Sequence, residues 1–338
     1  MRSTSYLFVC LLLLGEILLL TSCGGDATDP VRDAPATAIQ RPVDPNAKPV
    51  PAFNADSAYA YVAKQVAFGP RVMNTPAHDA TGEWLVGKLK AFGAAVEEQK
   101  FVATAFDGTP LNSNNIIGRY NPEMTDRILL AAHWDTRPFA DSPLNNDPTA
   151  IVNGADDGAS GVGVLLEIAR QLGKSTPNIG IDIVFFDAED YGQSGEEGGS
   201  ETYALGSQHY ARTLASPKPR YGILLDMVGS KDARFAIEQW SQKFAPELVS
   251  KVWKLASQMK FGDYFPQRLG GAITDDHYFV NIIANVPMID IIAHVPQTTF
   301  PAHWHTGNDN MDVIDKASLR AVGQVVTAVV YREAAGTI

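Results

Sequence analysis

Ile181-Asp182-Ile183-Val184-Phe185-Phe186-Asp187-Ala188-Glu189-Asp190 combines an apolar run holding a single polar residue with three carboxylates that follow it at once. Such a run leaves no face for water, which is the character of strands in parallel sheets covered by helices on both sides. Four more short apolar runs flank it along the chain: Asn115 to Gly118, Arg127 to Ala132, Tyr221 to Leu225 and Val286 to Ile292. Between and around them Ser57 to Phe68, Pro76 to Phe92, Ala159 to Leu172, Leu205 to Leu214, Pro246 to Met259 and Lys316 to Glu333 carry helical signals, with Thr75-Pro76 marking one start. Alternating helix and strand predicts an α/β fold, a single domain with a central mixed, mostly parallel sheet flanked by helices.

The 338 residues carry a formal net charge of −11, which disfavours nucleic acid as a partner, because that binding relies on Lys and Arg neutralising phosphates. Arg2 and the apolar run from Tyr6 to Leu20 form a targeting segment too short for a membrane span. Leu20-Thr21-Ser22-Cys23 resembles a bacterial lipobox, from which Glu16 inside the apolar run departs. The expectation is a lipoprotein signal peptide over residues 1–22, a lipidated flexible tether over 23–53 beginning at Cys23, and a catalytic domain over 54–338. The protein would then sit in a bacterial cell envelope, touching membrane only through its lipid. Of the two cysteines Cys10 lies in the discarded part, so neither an intrachain disulfide nor a thiol nucleophile is expected.

The polar residues gather where the strands end. His133-Trp134-Asp135 follows one run, Asp187, Glu189 and Asp190 follow another, Asp226 closes a third, and Asp156-Asp157 precedes a helix. Open α/β sheets bind ligands outside the carboxyl ends of their strands. Singly, each carboxylate is an ordinary cap or surface residue; gathered beside buried strands they repel unless a cation or protons neutralise them. With His133 and His305 the set mixes carboxylate and imidazole, which suits zinc, whereas Mg and Ca prefer oxygen alone. Glu189, next to a ligand, is placed to act as general acid or base. No Gly-x-Ser-x-Gly elbow occurs, and the Gly158 to Gly163 stretch lacks the Lys-Ser/Thr ending of a phosphate loop.

His133-x-Asp135, Gly154-Ala155-Asp156-Asp157-Gly158-Ala159-Ser160-Gly161, Glu189-Asp190, Asp226 and His305 resemble the metal set of the co-catalytic zinc aminopeptidases, over most of the chain from about Ala52. Within that superfamily the chain is more similar to the glutaminyl-peptide cyclotransferases, single-zinc enzymes that turn amino-terminal Gln into pyroglutamate. That closer likeness rests on the extra segment Gln193 to Ala204, on Ile273-Thr274-Asp275-Asp276-His277, and on Phe300-Pro301-Ala302-His303-Trp304-His305-Thr306.

The resemblance implies a zinc exopeptidase-like fold and one zinc ion per chain held by Asp157, Asp190 and His305. It makes Glu189 the proton shuttle, with Asp226 and Asp275 as an acid network beside it. Phe300, Trp304, Tyr203 and Asp290 would shape the substrate pocket, and the partners would be peptides or proteins beginning with Gln. Asp190 stands where mammalian cyclases have Glu, Asp290 where they have His, and Tyr203 in place of a pocket Trp. Two rivals share the fold: a zinc aminopeptidase, since His133, Asp157, Asp190, Asp226 and His305 would also hold two metals, and a catalytically dead binding lipoprotein, which has no use for Glu189.

Overall fold

A computed structural model describes residues 42–194, 199–296 and 299–338. The expected signal peptide, Cys23 and most of the expected tether lie outside the described residues. Among those described, no helix is long and apolar enough to cross a membrane. The compact unit runs Arg41–Ile338, and within it the stretch from 42 to 53 is tied to the body at particular points. The Asp44 N–H donates to the Ala335 carbonyl at 3.0 Å, the Phe53 N–H donates to Gln324 Oε1 at 2.9 Å, and the Phe53 ring enters the core. Despite the low average hydropathy of this stretch, Phe53 joins the core and Val50 packs against it.

The element order is α1 (Ala55–Val66), α2 (Pro76–Ala91), β1 (Ala95–Thr104), β2 (Pro110–Tyr120), β3 (Arg127–His133), α3 (Ala159–Lys174), β4 (Gly180–Phe186), α4 (Leu205–Thr213), β5 (Gly222–Asp226), α5 (Gln239–Phe244), α6 (Pro246–Gln258), α7 (Asp276–Phe279), β6 (Met288–Ile292) and α8 (Lys316–Ala335). One mixed six-stranded sheet has the order β1-β2-β4-β3-β5-β6. The β4, β3, β5 and β6 strands are mutually parallel, and the antiparallel β1-β2 hairpin completes one edge. Every residue of β3, β4, β5 and β6 is buried, as the unbroken apolar runs require. Alternate side chains supply the two faces: Ile128, Leu130 and Ala132 join the larger core under α1, α3 and α8, while Leu129 and Ala131 join Val184, Phe186 and Tyr210 on the α4 side.

The hairpin strand β1 escapes a search for apolar runs because it is an amphipathic edge, with Glu98 and Lys100 along an exposed face. The short α5 also has no helical periodicity of its own and is started by the Glu238 carboxylate, which accepts from the N–H groups of Trp240 and Ser241.

The approach of α3 to β5 brings Asp157 and Asp226 to the same edge, and Gly161 permits it. A Cβ added there would lie 2.2 Å from the Leu225 carbonyl oxygen. Gly161→Ala is expected to cost about 1–3 kcal/mol, typical of overpacking, seen as a lower urea midpoint at unchanged slope. A midpoint equal to that of the native chain would show that α3 has room to stand off the strand.

Candidate active site and metal centre

The carboxyl ends of β3, β4, β5 and β6 open at one edge of the sheet, and β4 and β5 lie on opposite sides of β3, so the chain reverses its direction of winding there. A cavity of about 640 Å³ occupies that edge. Its walls include Asp157, Glu189, Asp190, Tyr203, Asp226, Asp275, Phe300, Trp304 and His305. These residues come from several separate segments of the chain, Asp226 from the end of β5 itself, and the crossovers bring them together.

Asp157, Asp190 and His305 present one ligand atom each, all within 4.8 Å of one another. His305 Nε2 lies 3.1 Å from Asp190 Oδ1 and 3.7 Å from Asp157 Oδ2. A second set shares Asp157: His133 Nε2 is 2.9 Å from Asp157 Oδ1 and 3.2 Å from Asp226 Oδ1. Both sets are buried. Burial raises the Asp190 carboxyl, and the Asp157 charge raises it further. Burial alone would lower His305, but Asp190 and Asp141 outweigh it and carry the imidazole up to about 9. Buried Asp190 Oδ2 has no hydrogen-bond partner among the described residues. Two carboxylates and an imidazole around one point, with an acceptor oxygen left over, fit a divalent cation, and the oxygen and nitrogen mixture fits zinc.

Glu189 follows Ala188, which takes a left-handed φ of 52°, and its N–H donates to Asp135 Oδ1 at 3.1 Å while the Asp190 N–H donates to Asp135 Oδ2 at 3.1 Å. One buried carboxylate thus holds the backbone of both residues, whose side chains both line the cavity. Burial pushes the Glu189 carboxyl well above the usual range; His133 opposes this, and Asp190, Asp275 and Asp276 add to it. Asp226 is raised in the same way, first by burial and then by Asp157. Asp275 caps α7 through the Asp276 N–H. In the same cavity the Phe300 and Trp304 rings stack at 4.4 Å, and Trp304 lies 3.7 Å from the His305 ring. The Tyr203 hydroxyl reaches Ser194 Oγ at 3.0 Å.

Two carboxylates near the strand ends lie off the cavity wall. Asp290 is fully buried on β6 and is not part of the cavity wall. Its N–H donates to Ser241 Oγ, and its carboxyl faces Asp275 and His277, whose Nδ1 is 3.8 Å away, so it stands behind the pocket rather than shaping it. Asp187 also turns from the site: it accepts from the Asn114 N–H and pairs with His78 Nε2 at 2.9 Å. The extra segment from Gln193 to Ala204 is described only in part, residues 195–198 lying outside the described set.

Three further residues brace the site, and two of them, Asp309 and Arg71, gave no signal in the sequence. Asp309 Oδ1 accepts from the Asp156 N–H at 2.8 Å and Oδ2 from the Asp157 N–H at 3.2 Å, aiming the loop that carries the shared ligand. Burial, reinforced by Asp156 and Asp157, raises its carboxyl to about 7. Arg71 donates to the carbonyls of Asn153 and Gly154 in the same loop. His303 Nε2 contacts Asp156 Oδ2 at 2.8 Å and ties the aromatic loop to it. Only its closeness in sequence to His305 could have drawn attention to Asp309; Arg71 is one loop cation among many.

An α/β sheet whose strand ends hold paired carboxylate and imidazole sets is the architecture of zinc-dependent exopeptidases. Residues 115–330 match the profile of peptidase family M28, and the chain belongs to that family. A zinc-dependent exopeptidase from Parabacteroides distasonis is 52% identical, covering 84% of this chain and 99% of that one, with a TM-score of 0.81. The glutaminyl cyclase of Bacteroides thetaiotaomicron, solved with N-acetylhistamine, is 50% identical over 84% of this chain and 99% of its own, with a TM-score of 0.82. The glutaminyl-peptide cyclotransferase of Drosophila melanogaster is 26% identical over 274 residues, 74% of this chain and 73% of its own.

Proposed function

We propose that this chain is a zinc-dependent glutaminyl-peptide cyclotransferase, which closes amino-terminal Gln into pyroglutamate and releases ammonia. The observation that carries it is one cavity lined together by the stacked Phe300 and Trp304 rings, by Glu189, Asp226 and Asp275, and by Asp157, Asp190 and His305. The solved relative named a glutaminyl cyclase, half identical over nearly its whole length, supports the same activity.

Asp157, Asp190 and His305 would hold one zinc ion, which when bound polarises the γ-amide carbonyl and stabilises the charge developing on its oxygen. Both reacting groups belong to one residue, so orientation in the pocket supplies much of the rate. The aromatic wall packs the Gln side-chain stem, and the Trp304 indole offers one donor. Glu189 accepts a proton as the α-amine nitrogen bonds to the γ-carbonyl carbon. It returns that proton to the γ-nitrogen as the old carbon–nitrogen bond breaks, and ammonia leaves. Asp226 and Asp275, beside Glu189, hold the amine end. No water is consumed.

A two-metal aminopeptidase is the second reading, because the His133, Asp157 and Asp226 set is also assembled. Incubation of the chain with a Gln-initiated peptide, followed by mass analysis, separates the two. The cyclase yields the same peptide less one ammonia and blocked at its amino end; release of a free amino acid, or two zinc equivalents both needed for activity, means the peptidase. An unaltered peptide would leave only a binding protein.

The chain would be anchored in a bacterial cell envelope through lipid on Cys23, a proposal that rests on the Leu20-Thr21-Ser22-Cys23 tetrad. Cys23→Ala should release active protein from the membrane fraction. Retention after a salt wash would sink the anchor.

A further inference from the structure

The loop between β3 and α3 carries a cation that the cyclisation chemistry does not use. Arg137 is 1% exposed, and all five of its N–H donors have acceptors. Its Nε and Nη2 make a fork onto the two oxygens of Asp141, Nη2 also donates to Ser194 Oγ at 2.8 Å, and Nη1 donates to the carbonyls of Asp190 and Gly192, each at 2.8 Å. The guanidinium lies 5.5 Å from the centre of the Tyr203 ring, whose hydroxyl meets the same Ser194.

Asp141 passes this order on. Its Oδ1 is 3.0 Å from His305 Nδ1, and its Oδ2 accepts from Ser194 Oγ at 2.6 Å. A carboxylate gripped by an arginine fork is an acceptor only, so Nδ1 of His305 has to donate. A neutral imidazole that donates from Nδ1 keeps its lone pair on Nε2, and Nε2 is the nitrogen that faces Asp190 and Asp157.

We propose that Arg137 and Asp141 form a positioning pair, which fixes the tautomer and ring direction of His305 and joins the metal centre to the Tyr203 wall of the pocket. The same guanidinium grips the carbonyl of Asp190, so two of the three ligands are set by one buried cation. The inference rests on the metal assignment above and not on which peptide reaction follows. Outer partners of metal-bound histidine typically change metal affinity by about ten- to a hundredfold.

The test uses the full chain loaded with zinc, titrated with a chelator, and 15N-labelled at histidine so that the His305 ring nitrogens report their protonation. The Asp141 side chain is 29% exposed, so Asp141→Ala leaves no closed core cavity. That variant should bind zinc about ten- to a hundredfold more weakly and lose the Nδ1–H signature of His305; Asp141→Glu should recover part of both. Arg137→Met should lose at least as much, through its grip on the Asp190 carbonyl as well as on Asp141, and the double variant should lose no more than Arg137→Met alone, because Asp141 reaches His305 only from the fork that Arg137 supplies. If Arg137→Met does not fold, Arg137→Lys, which keeps charge but not the fork, should still fall short of native affinity. Native zinc affinity and an unchanged His305 spectrum in Asp141→Ala would overturn the pair, and so would additive losses. A native chain that takes up no zinc at all would instead overturn the metal assignment on which the pair depends.

Discussion

Glu189→Gln should turn over a Gln-initiated peptide at least about a hundred- to ten-thousandfold more slowly while holding as much zinc as the native chain. The substitution keeps shape and volume but removes the group that takes and returns the proton. The backbone of residue 189 is held from Asp135, and that contact survives because it uses the N–H and not the side chain. Metal content therefore separates this residue from its neighbour: Asp190→Asn, one position along, should damage metal binding itself. Steady-state turnover with mass detection, and elemental analysis of the same preparation, read the two effects side by side. Cyclisation at the native rate by Glu189→Gln would end the shuttle role whatever else the chain resembles.

Asp190→Ala and His305→Ala should each weaken zinc binding by more than the ten- to hundredfold that loss of an outer partner typically brings, and cyclisation should fall with it. His133→Ala should leave one equivalent in place if the Asp157, Asp190 and His305 set is the one that matters. Loss of half of a two-zinc content in His133→Ala would point to the peptidase. Stability gives an independent control. Burial and Asp157 raise the Asp190 carboxyl and outweigh the attraction of His305 and Arg137, so on balance removing it from the metal-free chain relieves more than it loses. The metal-free Asp190→Ala variant should unfold at a urea midpoint no lower than that of the metal-free native chain. A markedly lower midpoint would mean that Asp190 is needed for the fold, and its effect on zinc would then say little about ligation.

Much of this site was legible as sequence because its acids follow strands, and strands are visible as apolar runs. Asp157, Glu189, Asp190, Asp226, Asp275 and His305 could each be placed at the same edge by that rule and by the resemblance, and all of them line the cavity. Asp290 could not be placed so well: a carboxylate inside an apolar strand looks the same whether it faces a pocket or a buried neighbour. The face is set by strand register against β5 and by the packing of α5 and α7 behind it. The edge strand β1 stayed hidden because its pairing with β2, not its own hydrophobicity, makes it a strand.

What the sequence by itself determined is therefore local: the apolar runs, the helical periodicities, and the positions of the acids and imidazoles relative to strand ends. These depend on residues within a few positions of one another, where burial has a fixed period. Tertiary structure alone decided the partners. Asp141 meets His305 across 164 positions, and Asp309 meets the Asp156 backbone across 153. A charged side chain in a loop carries no period. Its partner is whichever group the crossovers bring within hydrogen-bond reach, and the cost of burying that charge unpaired leaves it little freedom to choose another.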